Sequence, residues 1–183
     1  PLISGILLRV LGERDWAPHL NIVASAGTFL ASALLTMEIV ASGPRFAFGE
    51  HFFIDSLNVF FVTLTAFVGM TTSIFSDPYM KNEREHGKLT KPRLRLYKSM
   101  FQLFMFTMLM ALTTNNMGIL WVAMEAATLT TVLLVSLYRT PASLEAAWKY
   151  FILCGVGIAQ ALFGTILLYF AAEKLLGAEG RAL

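Results

Sequence analysis

Charge is scarce in this sequence: Asp, Glu, Lys and Arg together make up 14% of its 183 residues. A soluble domain carries charge on about 25–35% of its surface, and here 56% of the residues are hydrophobic instead. An ordinary water-soluble domain is thereby excluded, and lipid is the expected solvent. Cysteine is nearly missing as well. The single thiol, Cys154, lies in an apolar run, so no intrachain disulfide can form and the residue reads as a small packing group. A glycine-rich phosphate loop, a Cys/His set with metal spacing and a Ser/His/Asp arrangement are all lacking, so neither a catalytic residue, a metal site nor a cofactor is expected. His19, His51 and His86 fall in predicted loops or at helix ends and read as interfacial residues. A net charge of +2 is too small to suggest nucleic acid as a partner.

What remains is a series of apolar runs. The first, 2–11, is too short to cross about 30 Å of hydrocarbon, and the sequence opens on Pro1, so 1–18 is read as a truncated first transmembrane helix with its loop. Spans two and three fall at 21–42 and 52–75, within the region 19–76. The region 77–98 reads as one long basic loop in water, holding Lys81, Arg84, Lys88, Lys91, Arg93, Arg95 and Lys98, seven of the 14 positive residues. Helices four to six fill 99–172: a fourth from 97 to 112, a polar turn at 113–116, a fifth from 117 to 138 and a sixth from 146 to 172. Pro141 cannot continue the fifth helix. Gly155, Gly157 and Gly164 predict close helix approach in the sixth, and 173–183 reads as a polar tail. The fold class is therefore an all-α polytopic bundle of about six spans. Alternating the loops puts Arg9, Arg14, the basic segment and Arg139 on one side, and Arg45, Lys174 and Arg181 on the other. By the positive-inside rule the first side is cytoplasmic.

Function in such a chain is expected at ionisable residues within the bilayer, where a charge costs at least about 2.5–3.5 kcal/mol. Glu125 stands out, roughly 4 Å along the axis from the midpoint of the fifth span. A carboxylate desolvated in hydrocarbon and facing a cation can exchange between neutral and charged forms, which is what a proton relay requires. Ala126, Ala127, Thr128, Thr130 and Thr131 around it leave room for water or a partner helix; the bland alternative is a protonated Glu125 bonded across helices for packing. Lys149, near the start of the sixth span, either turns inward or runs its stem to the headgroups. Glu38 and Asp55 are secondary candidates that can reach the opposite interface, Asp55 also as a helix cap. Gln160 reads as interhelical glue. The basic loop reads as a site for anionic lipid, or else as a docking surface for a peripheral arm.

Three stretches carry a resemblance: Phe53-Ile54-Asp55-Ser56-Leu57-Asn58, Trp121-Val122-Ala123-Met124-Glu125, and Ala146-Ala147-Trp148-Lys149-Tyr150-Phe151. Together they resemble the antiporter-like proton-pumping subunits of respiratory complex I and membrane-bound hydrogenases, over nearly the whole chain from Phe53 onward. The stretch from Tyr150 to Gly155 and the basic segment look most like the component F group of hydrogenase-4. The resemblance implies that Glu125 is the ion-pathway glutamate of the fifth helix and that Lys149 is the lysine recurring in the sixth. Asp55 would be the acidic opening of the third, for which it implies no firm role. Some complex I relatives have an arginine and an aspartate where this chain has Gly155 and Ile158, so an ion pair there is not expected. The family's subunits have about fourteen helices and place the lysine paired with the fifth-helix glutamate on a broken seventh helix, so these residues are expected to form a fragment or one part of a split subunit.

The expectation is thus a proton-translocating membrane subunit, without its own redox centre, of a redox-driven complex in a prokaryotic inner membrane, with the other membrane subunits as partners. Two rivals are a cation/proton antiporter or inorganic-carbon uptake subunit, and a structural membrane anchor without an ion path.

Overall fold

The computed structural model describes residues 1–12, 16–49 and 51–176. Its order is α1 (Leu2–Leu11), α2 (Ala17–Ser42), β1 (Arg45–Ala47), β2 (Phe52–Ile54), α3 (Ser56–Glu85), α4 (Lys91–Thr113), α5 (Met117–Val135), a 3-10 turn (Ser136–Tyr138) and α6 (Pro141–Leu176). Five helices among the described residues, α2 to α6, are long and apolar enough to cross a membrane. The all-α membrane bundle expected from the apolar runs is what the chain forms. Arg14, Arg181 and the tail beyond residue 176 lie outside the described residues, while Glu173 and Lys174 belong to α6.

The helix boundaries follow local chemistry. Helix α3 starts at Ser56 rather than at Phe52, because Asp55 caps it: its carboxylate accepts from the amides of Leu57 (3.0 Å) and Asn58 (2.8 Å). The Asn58 side chain accepts in return from the Asp55 amide at 2.9 Å, completing a capping box. Residues 52–54, aromatic and β-branched, form instead a short antiparallel hairpin with β1, Phe46 opposite Phe53. The hairpin rests on the α4–α5 turn, where the Asn115 amide donates to the His51 carbonyl at 2.8 Å. Asn116 caps α5 through the Ile119 amide (3.1 Å), and Thr140 caps α6 through the Ser143 amide (3.1 Å), with Pro141 at the first helical position.

The segment 77–98, read as a loop in water, is mostly helix. Helix α3 continues through Pro78 to Glu85, and α4 begins at Lys91, so the connection is short. The reason is apolar burial: Met80, Leu89 and Leu137 form a core at this end, covered by Leu94, Tyr97 and Tyr138. The reversal is a Schellman motif. Gly87 takes φ +74°, which an L side chain rarely adopts, while the Lys88 amide donates to the Glu83 carbonyl and the Gly87 amide to that of Arg84, both at 3.0 Å. Lys88 Nζ also meets Glu83 Oε1 at 3.1 Å.

Packing is strongest between α2 and α3, α4 and α5, α5 and α6, and α1 and α4. Where α1 to α4 meet, the core is polar. Gln102, fully buried, donates from Nε2 to Asn21 Oδ1 (2.8 Å) and Ser25 Oγ (2.9 Å), while its Oε1 accepts from Ser4 (3.3 Å). Ser73 joins from α3, 2.7 Å from Ser25 Oγ, and Ser99 donates to the Gly5 carbonyl at 2.8 Å. Close helix approach occurs at Gly69, where an added Cβ would lie 2.3 Å from the Met105 methyl. It does not occur at Gly155, Gly157 or Gly164, around which no described atom lies within 4 Å of such a Cβ, because α6 packs on α5 and its glycine face is uncovered.

Replacing Gln102 by Leu leaves Asn21 and Ser25 without their shared donor. It is expected to cost roughly 1–3 kcal/mol, read as a lowered unfolding midpoint of the purified protein in detergent. Ser4→Ala, at the edge of the same cluster, removes the 3.3 Å bond to Gln102 and the 2.8 Å bond of Ser4 to the Pro1 carbonyl at the head of α1, leaves the Gln102 donors in place, and should lower the midpoint less.

Candidate functional site

Helix α5 carries Glu125 in the middle of its span, packed between α4 and α6. Ala123, Ala127, Thr128 and Thr130 are buried, and the hydroxyls of Thr128 and Thr130 are returned to their own helix, bonding the carbonyls of Met124 (3.1 Å) and Ala127 (2.8 Å). Among the described residues, two side-chain bonds tie α5 to α6: Trp121 Nε1 donates to the Ile158 carbonyl at 2.8 Å, and the Thr131 and Tyr150 hydroxyls meet at 3.0 Å.

Glu125 is half-buried, and its carboxylate has no hydrogen-bond or ion-pair partner among the described residues. Its neighbours at i−3, i+4 and i+8 are Val122, Leu129 and Leu133, all exposed, so Glu125 borders an open apolar side of α5. Farther along that side lies a groove of about 500 Å³ between α5 and α6, lined by residues that include Leu129, Leu133, Trp148 and Phe151. The arrangement is a lone carboxylic acid at bilayer depth, facing the edge of the bundle rather than an internal cation.

The structure does not bring Lys149 to Glu125. Its side chain points outward and pairs with Glu145, one turn earlier on α6, and both groups are exposed. The Glu–Lys spacing of four is a local helix pair, which reading Lys149 alone overlooks. Glu38 is half exposed near the C-terminal end of α2 and pairs with Arg45 of the hairpin. Asp55, at the same end of the bundle, has its carboxylate committed to the α3 cap. Gln160 is exposed and, among the described residues, bonds no neighbouring helix, so it is not glue within this bundle. Cys154 is half-buried and unpaired, and His19, His51 and His86 are exposed. No group of three metal-binding side chains occurs among the described residues.

Two features escaped the sequence reading. One is the buried Gln102 cluster, whose only signal is polar residues at helical spacing, Asn21 with Ser25 and Ser99 with Gln102. The other is the basic segment, part of which is inside the protein: Lys98 is 4% exposed and Glu83 7%. Arg93 Nη1 donates to the Tyr138 carbonyl at 3.2 Å, which gathers Arg139 at the same end as the basic segment.

If Asp55 serves α3 as a cap, Asp55→Ala should destabilise the protein by roughly 0.5–2 kcal/mol. Asp55→Ser, which keeps a capping oxygen, should restore most of that stability in the same thermal unfolding assay. A serine variant no more stable than the alanine variant would contradict the capping assignment.

No family model matches the chain. Similar sequences are found along its whole length. A protein described as hydrogenase-4 component F homolog, from Methylacidiphilum infernorum, is 46% identical over 182 residues, covering 100% of this chain and 37% of that protein. F(420)H(2) dehydrogenase subunit N of Methanosarcina mazei is 31% identical over 176 residues, 92% of this chain and 33% of that one. NADH-quinone oxidoreductase subunit N of Dehalococcoides mccartyi is 30% identical over 149 residues, 80% of this chain and 29% of that one. The chain thus spans about a third of the length of the relatives it matches. With five membrane-crossing helices and these relatives, it is a multi-pass membrane protein of the antiporter-like subunit family.

Proposed function

We propose that this chain is part of a proton-translocating membrane subunit of a redox-driven complex, with Glu125 as a proton-exchanging group. The observation that carries this reading is the carboxylate of Glu125 itself, set at mid-span without a partner among the described residues. A charge at that depth is costly, and a packing role would call for a hydrogen bond that the bundle does not supply. An acid that must become neutral or meet an incoming cation is suited to exchange protons. The names of the relatives, hydrogenase-4 component F homolog, NADH-quinone oxidoreductase subunit N and F(420)H(2) dehydrogenase subunit N, support a redox complex as the setting.

On this reading the partners are other membrane subunits, and the open side of α5 next to Glu125 is where a cation is brought up. Lys149 then belongs to the pathway only if a neighbour draws it away from Glu145. Glu38 and Asp55 are left to the bundle end. The membrane is a prokaryotic inner membrane, and the end carrying Lys81, Arg84, Lys88, Lys91 and Arg139 faces the cytoplasm, where it attracts anionic lipid.

The test is Glu125→Gln in the assembled complex, measuring proton uptake into sealed vesicles alongside redox turnover. The variant should assemble and lose proton uptake, since glutamine keeps the shape but cannot exchange a proton. Uptake at the native ratio to turnover would remove Glu125 from the pathway and favour a structural anchor.

A further inference from the structure

Arg139 sits in a backbone conformation that its side chain makes costly. It closes the turn between α5 and α6 with φ +52° and ψ +30°, a left-handed geometry that glycine or asparagine takes more readily than arginine. Nothing within the bundle offsets that cost: the side chain is exposed and has neither a hydrogen bond nor an ion pair among the described residues. Lys149, the cation nearby on α6, is by contrast matched by Glu145.

The turn that carries Arg139 forms one end of the groove between α5 and α6. Ser136 before it and Leu144 after it both line that space of about 500 Å³, which continues inward over Leu133, Trp148 and Phe151 to Leu129. From Leu144 to Phe151 is about 10 Å along the helix axis, within the roughly 15 Å of one leaflet. The Ser136 hydroxyl is returned to the Leu133 carbonyl at 3.1 Å, so it presents little polarity to the groove. Trp148, one turn inside Leu144, is 64% exposed and stands edge-on to Phe151 at 6.0 Å, with no acceptor for its indole N–H among the described residues. An apolar body with a free N–H suits the layer where hydrocarbon meets headgroups.

These features run in the order of a phospholipid: a cation at the headgroup end, an indole donor inside it, then apolar walls. Length and charge decide the occupant. A partner helix would press on α5 and α6 through the whole membrane depth, whereas this groove is confined to one leaflet at the basic end. A phosphate diester accepts paired N–H bonds from a guanidinium, and a zwitterionic headgroup would bring its own cation beside that phosphate.

We propose that the α5–α6 groove binds one anionic phospholipid, its phosphate on Arg139, its ester region at Trp148 and one acyl chain along Leu133 and Phe151 toward Leu129. The site narrows the attraction of the basic end for anionic lipid, on which reading it rests, to one place. The chain then ends one turn from Glu125.

The test reconstitutes the full complex with phosphatidylglycerol or phosphatidylcholine carrying the same photoreactive acyl chain, and maps the labelled residues by peptide mass spectrometry. Phosphatidylglycerol should label Leu133, Trp148 and Phe151 about fivefold more than phosphatidylcholine, the effect of one cation near a membrane surface. Arg139→Gly suits the left-handed backbone, so it should keep native subunit content and lose that excess; if it does not assemble, Arg139→Asn decides. Leu144→Trp, which fills the outer end of the groove, should remove the label with either lipid. Equal labelling by the two lipids overturns the site, as does an excess unchanged in Arg139→Gly. Groove residues without label place a protein helix there instead and overturn it too. An excess found elsewhere on the basic end but not in the groove sinks only this site, whereas no excess anywhere on that end sinks the general attraction beneath it.

Discussion

In hydrocarbon, water is not there to complete hydrogen bonds, so every polar group that a helix carries inward has to find a partner in the protein. The arrangement of α1 to α4 depends on that requirement being met at Gln102. Its amide reaches α1 through Ser4 and α2 through Asn21 and Ser25, and α3 is held through Ser73. Lipid offers no hydrophobic drive for helix association, since its tails are as apolar as leucine, so packing and such bonds decide which helices adjoin. A side chain that satisfies three helices at once sets their relative height as well as their contact. The Met105 side chain laid over Gly69 does the same for α3 and α4 by shape alone.

The other part of the bundle is built differently. Helices α5 and α6 are joined by a tryptophan bond to a backbone carbonyl and by a hydroxyl pair, with α6 exposed along nearly its whole length. Their threonines return hydrogen bonds to their own helices and make no cross-helix network like that of Gln102. The result is a closed polar cluster among α1 to α4, and a separate acidic residue at the margin of an open apolar side. Within one chain the same physical rule is satisfied in the first case and left open in the second.

Much of the fold was legible in the sequence because apolar length is a direct consequence of bilayer thickness. The α5 span, its start after the 113–116 turn and the role of Asp55 at the head of α3 followed from length and capping chemistry. The basic segment misled, because seven positive residues in 22 look like water. Their helical spacing lets Lys98 and Glu83 turn inward while Lys81 and Arg84 turn out, and hydropathy averaged over a segment cannot separate the two faces of one helix. The third span was read as ending at residue 75, but Met80 and Leu137 gain burial only if α3 runs on past Pro78. The hairpin was hidden because Phe52 to Ile54 are as apolar as the helix that follows them. Glu125 was legible as a charge in the wrong solvent. The exposure of Lys149 was not, since a lysine at that height can point either way until its neighbours are known.

The placement of Lys149 also bears on what Glu125 can do. A carboxylate in the bilayer is stabilised by becoming neutral or by meeting a cation, and the nearest candidate in the sequence is bound to Glu145 on the outside of α6. Lys98, on α4, makes no ion pair with Glu125 among the described residues either. Neither lysine is therefore a resident counter-ion for Glu125 in this arrangement. A cation that reaches Glu125 has to approach past Val122 and Leu129, the exposed neighbours on its open side. An acid whose counter-ion comes and goes changes its affinity for a proton with each approach, whereas a permanent ion pair would hold one state. On the transport reading, the open side of α5 is thus a working requirement of Glu125: covering it with a fixed cation would leave the carboxylate charged and unable to release and retake a proton.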